Sequence, residues 1–562
     1  MKALAAALLL SSALALPASA QNSREARERA PAAPPVAPRS EAAAPAAPRT
    51  PPKLIVAISV DQFSADLFAQ YRNHFTDGFA RLLTGAVFPS GYQSHAATET
   101  CPGHSTILTG MRPAHTGIVA NTWINQRAGR EDKQVYCAED EAAAGSDHEK
   151  YVPSDVHLKV PTLGEMMKAR DPRTRVVSVA GKDRAAIMMG GHKVDELWFW
   201  GGKDFISYAA RKTPPAVART NAAVTALLAK PQAGLELPGF CRSIAVPVQV
   251  GDQVLGTGRF ERQAGDAKAF RASPASDGAV FALAAALIGD MRLGRGPQTD
   301  IIAVGASATD YIGHTFGTQG SEMCIQMNEL DHSIGGFLAQ LDQWGLDYEV
   351  VLTADHGAHD MTERQQQRAM PMEARVNADV TAKTIGAAIG RDMGIAGPVL
   401  LASEGDVYVA DDVPPARRAA VIAEAVKRFS AQPQVAAALT RQQIAATPMP
   451  TTPPETWTLL ERARASFDPD RSGDFLVLLR PRVTTIAKPG PGYVETHGSP
   501  WDYDRRVPIL FWRKGIAGFE QPLSVETVDI VPTLAATINL PVSGLDGRCL
   551  DLDSSAASSC VR

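Results

Sequence analysis

Three apolar runs in the sequence each end in an aspartate, and two of these aspartates have a histidine close behind them. A histidine taken alone is most often a core or surface residue with its own hydrogen bonds, but here the pattern repeats at independent strand ends. Carboxylate and imidazole groups form the ligand set of zinc in hydrolytic sites. The pattern therefore predicts a metal site. Its candidate ligands are Asp61, Asp310, His314, Asp355 and His356, joined by His497 from the glycine-flanked run VETHGSP.

The segment TETCPGHSTILTG at 98–110 predicts a second reactive group. Pro102 suits the first turn of a helix that HSTIL can continue. Thr100 would then lie at the helix N-terminus, where free N–H groups and the helix dipole attract an anion. A threonine there can act as a helix cap or as a nucleophile aimed at bound phosphate.

The metal site favours the nucleophile. Two zinc ions about 4 Å apart can stabilise the attacking and the leaving oxygens of an in-line displacement at phosphorus. A metal ion also lowers the pKa of a coordinated hydroxyl, so that a threonine becomes usable near neutral pH. We therefore predict Thr100 to be the nucleophile and a metal ligand.

These side chains need a scaffold that brings them to one edge. Apolar runs alternate with stretches of helical spacing such as 326–345 and 525–542, which predicts an α/β fold with helices on both faces of a mostly parallel sheet. Functional groups collect beyond the carboxyl ends of strands in such sheets. The less regular segments near 186–299 and 360–490 are predicted to be cap-like insertions. The strand candidates lie at 53–61, 175–181, 300–310, 348–357 and 506–512.

The N-terminal residues are typical of an exported protein. Residues 1–20 contain an early lysine, an apolar stretch and Ala-Ser-Ala at 18–20, which predicts a cleaved signal peptide. A membrane anchor is the alternative, because the apolar run is not far short of a span, but the polar QNSREARER that follows favours cleavage. We expect no stable membrane anchor. The Ala- and Pro-rich residues 21–52 are predicted to be a disordered spacer, and the catalytic domain to occupy 53–562.

Composition excludes some functions and suggests a compartment. A formal net charge of −4 and the lack of a Lys/Arg block give no support for a nucleic-acid binder. The six cysteines suit an oxidising compartment, and the protein is expected to be periplasmic or secreted. Cys549 and Cys560 are close enough to pair, whereas Cys101 is expected to be unpaired.

The motifs VDQF, TETCPGH, DYIGH, TADHG and THGSP, in this order, resemble the alkaline phosphatase superfamily. The resemblance extends from about 53 to 547. It is closest to bacterial exported, zinc-dependent alkaline phosphatases with a threonine nucleophile, which are relatives of the nucleotide pyrophosphatase/phosphodiesterases. It implies an alkaline-phosphatase-like fold and two zinc ions per chain. One ion would be held by Asp310, His314 and His497. The other would be held by Asp61, Asp355 and His356, with Thr100 as its nucleophilic ligand.

The resemblance also implies the groups that bind the phosphoryl oxygens. Asn121 in GIVANTW would donate to one oxygen, with the backbone N–H of Cys101 beside it. Lys182 and Arg184 in VAGKDRAAI match a pair that similar monoesterases use and that the phosphodiesterase relatives generally lack. A monoester dianion has one more charged oxygen than a diester, which a lysine and an arginine can neutralise. Without the family context, Asn121 would be interpreted as a turn residue, whereas two solvated side chains after a strand would be the less favoured interpretation of Lys182 and Arg184.

The expected function is hydrolysis of small phosphate monoesters through a phosphothreonine intermediate, for phosphate scavenging. A phosphodiesterase or nucleotide pyrophosphatase on the same scaffold is the first alternative, and a non-catalytic zinc-binding periplasmic protein is the second. A sulfatase is disfavoured because its Cys/Ser-x-Pro-x-Arg motif is absent. The sequence leaves the oligomeric state open.

Overall fold

The computed structural model describes residues 50–209, 211–368, 370–553 and 558–560. The expected signal peptide at 1–20, and the spacer up to residue 49, lie outside the described residues. A ten-stranded sheet crosses the fold. Its strands are β1 Leu54–Val60, β2 Ala86–Tyr92, β3 Val176–Ala180, β4 Glu196–Trp200, β5 Phe205–Ile206, β6 Asp300–Ala306, β7 Tyr348–Thr353, β8 Arg506–Arg513, β9 Phe519–Glu520 and β10 Val525–Glu526.

The strand order is β9-β2-β8-β7-β1-β6-β3-β4-β5, and β10 also pairs with β2. The central strands β7, β1, β6, β3 and β4 are parallel, whereas β8 runs antiparallel to both β7 and β2. The predicted mostly parallel sheet is therefore confirmed. The strand expected at 506–512 is present, but it runs in the opposite direction to its neighbour β7.

The middle strand β1 shows why this sequence forms a sheet covered on both faces. After Leu54 its residues are β-branched or small, and all seven are buried, as in strands of parallel sheets. Leu54, Val56 and Ile58 enter the core on one face of the sheet, and Ile55 and Ala57 enter the core on the other. A single apolar run therefore supports two hydrophobic cores.

Helices cover both faces. Five that matter below are α1 Thr100–Ile107, α2 Asp183–Gly190, α3 Pro274–Met291, α4 Ala308–Phe316 and α5 Ser321–Gln343. The helix expected at 326–345 is confirmed as α5, and the one expected at 525–542 is shorter. The remaining α-helices are Ala65–Tyr71, Gly78–Leu82, Pro113–Thr116, Leu163–Arg170, Pro215–Leu228, Ala267–Arg271, Thr362–Gln367, Ala382–Met393, Pro415–Ser430, Arg441–Ala446, Leu459–Ser466, Asp502–Arg505 and Ile530–Thr537.

Residues 360–490 build a smaller sheet with its own apolar core. Its strands are ordered Leu400–Ser403, Asp406–Val409, Phe475–Leu479 and Val435–Thr440. Two-stranded pairs elsewhere are Thr122–Ile124 with Gln134–Tyr136, Val248–Val250 with Gln253–Leu255, and Ala374–Arg375 with Val483–Thr484. Residues 186–299 contain β4 and β5 of the main sheet as well as α3.

By length and composition, α3 is the one described helix that could cross a membrane, but 56% of it is buried inside the protein, as in a core helix. All six cysteines are paired, as Cys101–Cys137, Cys241–Cys324 and Cys549–Cys560. The expectation of an unpaired Cys101 is therefore wrong. Its partner follows the strand Gln134–Tyr136, which the fold brings against the start of α1.

Candidate active site

The carboxyl ends of three adjacent parallel strands bring the predicted acidic ligands together. Val60 of β1 is level with Ala306 of β6, and Ser59 is level with Thr353 of β7. Asp61 follows β1 directly and donates its backbone N–H to the Ala306 carbonyl at 2.9 Å. Asp355 comes shortly after β7, and Asp310 lies in the first turn of α4 after β6. The three carboxylates consequently meet at one edge of the sheet.

Two groups of side chains are spaced to hold a metal ion. The potential ligand atoms of Asp61, Asp355 and His356 lie within 4.8 Å of one another, and so do those of Asp310, His356 and His497. The first group contains the three protein ligands predicted for one zinc ion. The second group contains His356 instead of the predicted ligand His314. His314 remains adjacent, with Nε2 3.3 Å from Asp310 Oδ1.

The three histidines are oriented by their Nδ1 atoms. Nδ1 of His314 lies 2.8 Å from the Glu495 carbonyl, that of His356 lies 2.9 Å from the Gly357 carbonyl, and that of His497 lies 2.9 Å from the Thr98 carbonyl. A carbonyl oxygen only accepts, so each Nδ1 carries a proton, and in the neutral ring Nε2 is then the nitrogen with the free lone pair. This is the usual arrangement of metal-binding histidines, whose other nitrogen is fixed by a hydrogen bond.

The electrostatics of the site also suit a cation. Asp61 Oδ1 and Asp310 Oδ1 are buried and accept no hydrogen bond from the described residues, which is costly for a carboxylate. Burial lowers the pKa of His356 well below its ordinary value, so the ring is neutral, as metal binding requires. Burial opposes ionisation of Asp310, but His314 and Lys182 hold its pKa well below the usual range. Oxygen and nitrogen donors in this arrangement fit zinc.

Thr100 is the first residue of α1, with Pro102 in the first turn, as predicted. Its side chain is fully buried. Oγ1 lies 3.4 Å from Lys182 Nζ, 3.5 Å from Arg184 Nη2 and 3.5 Å from His356 Nε2. The hydroxyl oxygen therefore faces two cations and one candidate metal ligand, and it makes no cap hydrogen bond.

Hydrogen bonds to both the backbone and the side chain hold Asn121 beside Thr100. Its backbone N–H donates to Glu99 Oε2 at 2.6 Å, and its Oδ1 accepts from the Cys101 N–H at 2.8 Å. The Cys101 N–H, predicted to contact phosphate, is thus engaged by Asn121. The Nδ2 amino group remains the donor that Asn121 can offer to a phosphoryl oxygen. The sequence reasoning missed Glu99, the N-cap residue of α1 that holds this loop.

The cationic pair is held by different partners. Lys182 Nζ lies 2.5 Å from Asp310 Oδ2 and 2.8 Å from Asp61 Oδ2, so it bridges the two ligand groups. Arg184 Nη1 donates to the Tyr136 hydroxyl at 3.4 Å, and this hydroxyl donates to Asp183 at 3.0 Å. Tyr136 was also missed, because nothing in its local sequence indicates a contact with residue 184.

The two histidines that were left outside the predicted ligand set lie around it. His104 Nδ1 lies 3.1 Å from Asp355 Oδ2 and 2.9 Å from the Thr100 carbonyl. His359 Nε2 lies 3.4 Å from Glu373 and its ring packs against Tyr503. His104 therefore contacts a candidate ligand, whereas His359 contacts Glu373 and Tyr503, which are not candidate ligands.

Known proteins of similar sequence identify the family of this chain. Residues 55–500 match the model of the type I phosphodiesterase / nucleotide pyrophosphatase family. The chain is 58% identical over 520 residues to alkaline phosphatase PhoK of a Sphingomonas species, covering 91% of this chain and 93% of that protein. It is 47% identical over 517 residues to alkaline phosphatase PhoD of Zymomonas mobilis, covering 90% and 89%.

The fold is also found among solved structures. The crystal structure of alkaline phosphatase PafA superposes with a TM-score of 0.78 at 24% identity, covering 89% of this chain and 99% of that one. This likeness concerns the fold, and the family assignment follows from the sequence matches. The chain belongs to the type I phosphodiesterase / nucleotide pyrophosphatase family, within the alkaline phosphatase superfamily, and it is a hydrolytic enzyme.

Proposed function

We propose that this protein is an exported alkaline phosphatase that hydrolyses phosphate monoesters, with Thr100 as nucleophile and two zinc ions as cofactors. The observation that carries the proposal is the placement of the buried Thr100 hydroxyl within 3.5 Å of Lys182, Arg184 and His356. The alkaline phosphatase relatives PhoK and PhoD support the reaction class. Scavenging of phosphate from small esters is the physiological role we propose.

The two ligand groups would each hold one ion. Asp61, Asp355 and His356, with Thr100, form one set, and Asp310, His314 and His497 form the other. Bound zinc would lower the pKa of the threonine hydroxyl and stabilise the attacking and leaving oxygens. The Nδ1 hydrogen bonds to backbone carbonyls keep the three imidazoles aimed with Nε2 inward.

The chain's own side chains position the phosphoryl group. Thr100 Oγ attacks phosphorus, the bond to the ester oxygen breaks, and the alcohol leaves, which gives a phosphothreonine. Water then attacks the same phosphorus, the P–Oγ bond breaks, and Thr100 regains its hydroxyl as phosphate departs. Throughout, Lys182 and Arg184 neutralise nonbridging oxygens and Asn121 Nδ2 donates to one of them.

The cationic pair supports a monoesterase over a diesterase. A monoester presents two negative charges and a diester one, and both Lys182 and Arg184 lie beside the Thr100 oxygen. The ion pair that Arg184 makes among the described residues, with Asp183, is long at 4.0 Å. Its charge is therefore available to a substrate oxygen.

The test is a paired assay on zinc-loaded protein, with p-nitrophenyl phosphate and bis-p-nitrophenyl phosphate compared by kcat/KM. We expect a strong monoester preference that a chelator abolishes and added zinc restores. A diester preference would instead indicate that the enzyme is a phosphodiesterase, as the family name suggests. Activity that survives complete removal of metal would overturn the zinc assignment.

Export is part of the proposal. The three disulfides, which join all six cysteines, suit an oxidising compartment. Fractionation of a bacterium that expresses the full chain should place the protein in the periplasm or medium, with an N-terminus after residue 20. Recovery of uncleaved protein in the cytoplasm would contradict export.

A further inference from the structure

A cavity of about 480 Å³ opens beside the candidate active site. His314, a candidate metal ligand, and Tyr493, whose ring centroid lies 5.3 Å from that of His314, form one part of its wall. Tyr311, which follows Asp310 in α4, forms another part, and Arg271 and Lys268 also line the cavity. The candidate ligand His314 therefore belongs both to the wall of this cavity and to one of the predicted metal sites.

The guanidinium of Arg271 in this cavity contacts an aromatic ring but no hydrogen-bond acceptor among the described residues. It ends the short helix Ala267–Arg271, and its guanidinium carbon lies 4.4 Å from the centroid of the Tyr311 ring. Within the described part of the chain it makes no hydrogen bond or ion pair, although its Nε atom is buried. A buried donor on a cation is costly to leave unsatisfied, so an acceptor supplied by a ligand is the natural partner.

A short series of contacts connects Arg271 to the nucleophile. The Tyr311 ring that Arg271 covers also lies 5.1 Å from Lys182 Nζ, and Lys182 Nζ lies 3.4 Å from Thr100 Oγ1. A substrate whose phosphoryl group is held at Thr100 and whose leaving group extends along Tyr311 would bring that leaving group to Arg271. Lys182 and Arg184 already lie beside Thr100 Oγ1, where the reacting phosphoryl group would be held, so Arg271 is left to contact the leaving group.

The two acidic residues in the wall do not form an ion pair with Arg271. Asp266 accepts the Ala269 N–H at 2.9 Å and caps the helix Ala267–Arg271. Glu261 lies against the backbone of Gly234. Lys268, which lies over the turn at Gly492, forms no ion pair with a described residue. Two carboxylates and two cations therefore line the cavity, and the feature that suits an anion is the Arg271 guanidinium beside the Tyr311 ring.

We propose that this cavity is a leaving-group subsite, in which Arg271 selects phosphate monoesters whose leaving group carries a second anionic group, such as a carboxylate or another phosphate. This inference rests on the proposed function, because it assigns a substrate class to the same site. The guanidinium matches the forked geometry of such anions, and Tyr311 and Tyr493 pack against the carbon skeleton between the two ends.

The test compares two substrates that differ by one charge, phenyl phosphate and 4-carboxyphenyl phosphate, on the zinc-loaded enzyme. Arg271→Gln should lower kcat/KM for 4-carboxyphenyl phosphate about tenfold relative to phenyl phosphate, mainly through KM, as loss of a charged hydrogen bond predicts. Arg72→Gln is the matched control, because its guanidinium also covers an aromatic ring, that of Phe68 at 5.0 Å, but lies outside the cavity. The control should leave the ratio of the two substrates unchanged.

A charge-reversal variant distinguishes recognition of an anionic leaving group by Arg271 from a purely structural role of this side chain. Arg271→Glu should turn the preference towards 4-(aminomethyl)phenyl phosphate, which a merely structural arginine would not do, and Arg271→Lys should keep most of the anionic preference. Equal losses on all three substrates in every variant would overturn the subsite. Failure of the wild-type enzyme to hydrolyse phenyl phosphate would instead overturn the proposed function, so the two failures are distinguishable.

Discussion

The Oγ1 atom of Thr100 lies 3.4 Å from the ammonium nitrogen of Lys182. A cation at this distance favours the alkoxide over the hydroxyl and attracts the phosphoryl oxygens that must approach it. The relation joins two residues 82 positions apart, one at the start of α1 and the other immediately before α2. The proximity of Lys182 therefore favours attack by Thr100 on a bound phosphoryl group.

Thr100→Ala should lower kcat for p-nitrophenyl phosphate by about three orders of magnitude, because the attacking atom is removed. Thr100→Ser should retain much of the activity, since it restores a hydroxyl on the same backbone. Zinc content, measured after dialysis, should largely survive in both variants. Near-full activity in Thr100→Ala would show that another group attacks phosphorus.

Replacing Lys182 and Arg184 together by alanine should reduce kcat/KM for monoesters far more than for diesters. Each charge-assisted hydrogen bond contributes about 1.5–3 kcal/mol, so the double variant should lose about 10³-fold on the monoester. The diester lacks the second charged oxygen and should lose much less. Equal losses on p-nitrophenyl phosphate and bis-p-nitrophenyl phosphate would remove the basis for assigning monoester selectivity to this pair.

Tyr136→Phe should weaken monoester hydrolysis by about three- to tenfold, on the scale of one hydrogen bond, because its hydroxyl links Arg184 to Asp183. Tyr136 is a positioning residue, so the loss should fall on monoesters and spare the diester rate. Tyr151→Phe is the matched control. Its hydroxyl also donates to Asp183, at 2.8 Å, but does not contact Arg184. Identical effects of the two variants would contradict a role through Arg184.

Substitution of two histidines should affect metal content unequally. His356 belongs to both groups of ligand atoms, whereas His314 adjoins only Asp310. His356→Ala should therefore reduce zinc bound per chain more than His314→Ala does, and it should abolish activity. Zinc per chain is measured by elemental analysis after dialysis against a weak chelator. Equal losses in the two variants, or a larger loss in His314→Ala, would show that His356 affects only the ion that it shares with Asp61, Asp355 and Thr100, and that its proximity to Asp310 and His497 does not influence the other ion.

The ligand residues were predictable because each follows a strand whose apolar run is unmistakable in the sequence. Asp61, Asp310 and Asp355 then meet because β1, β6 and β7 are parallel and level, which the strand pattern already implies. The antiparallel direction of β8 could not be predicted in this way, because it depends on how the chain returns to the sheet after residues 360–490.

The remaining features of the site depend on long-range contacts that no local motif reports. His497 is aimed by the carbonyl of Thr98, and His314 by that of Glu495, so which imidazole approaches which carboxylate is decided by loops far apart in sequence. Arg271 and Tyr136 come from segments without a recognisable pattern. Their roles follow only from the distances to Tyr311 and Arg184.

The disulfide Cys101–Cys137 should be important for both stability and activity, because it joins the residue after the nucleophile to the residue after Tyr136. Both cysteines are fully buried, and the bond closes a loop with a sequence separation of 36. Constraining a loop of this size typically contributes about 2–4 kcal/mol to the free energy of unfolding. Replacing both cysteines by serine should therefore lower Tm by several degrees. Since Tyr136 holds Arg184, the same variant should lose monoester activity at temperatures where it is still folded.

Cys549 and Cys560 provide the matched control, because their disulfide spans only 11 positions near the C-terminus. Replacing this pair by serine should leave kcat/KM unchanged, although Tm can fall. The measurements are thermal unfolding followed by circular dichroism and kcat/KM at a temperature well below either Tm. If the Cys101 and Cys137 variant unfolds earlier but keeps full kcat/KM while folded, the bond stabilises the fold without positioning Arg184. A loss of activity confined to this pair means that the covalent link holds the phosphate-binding side chains in place.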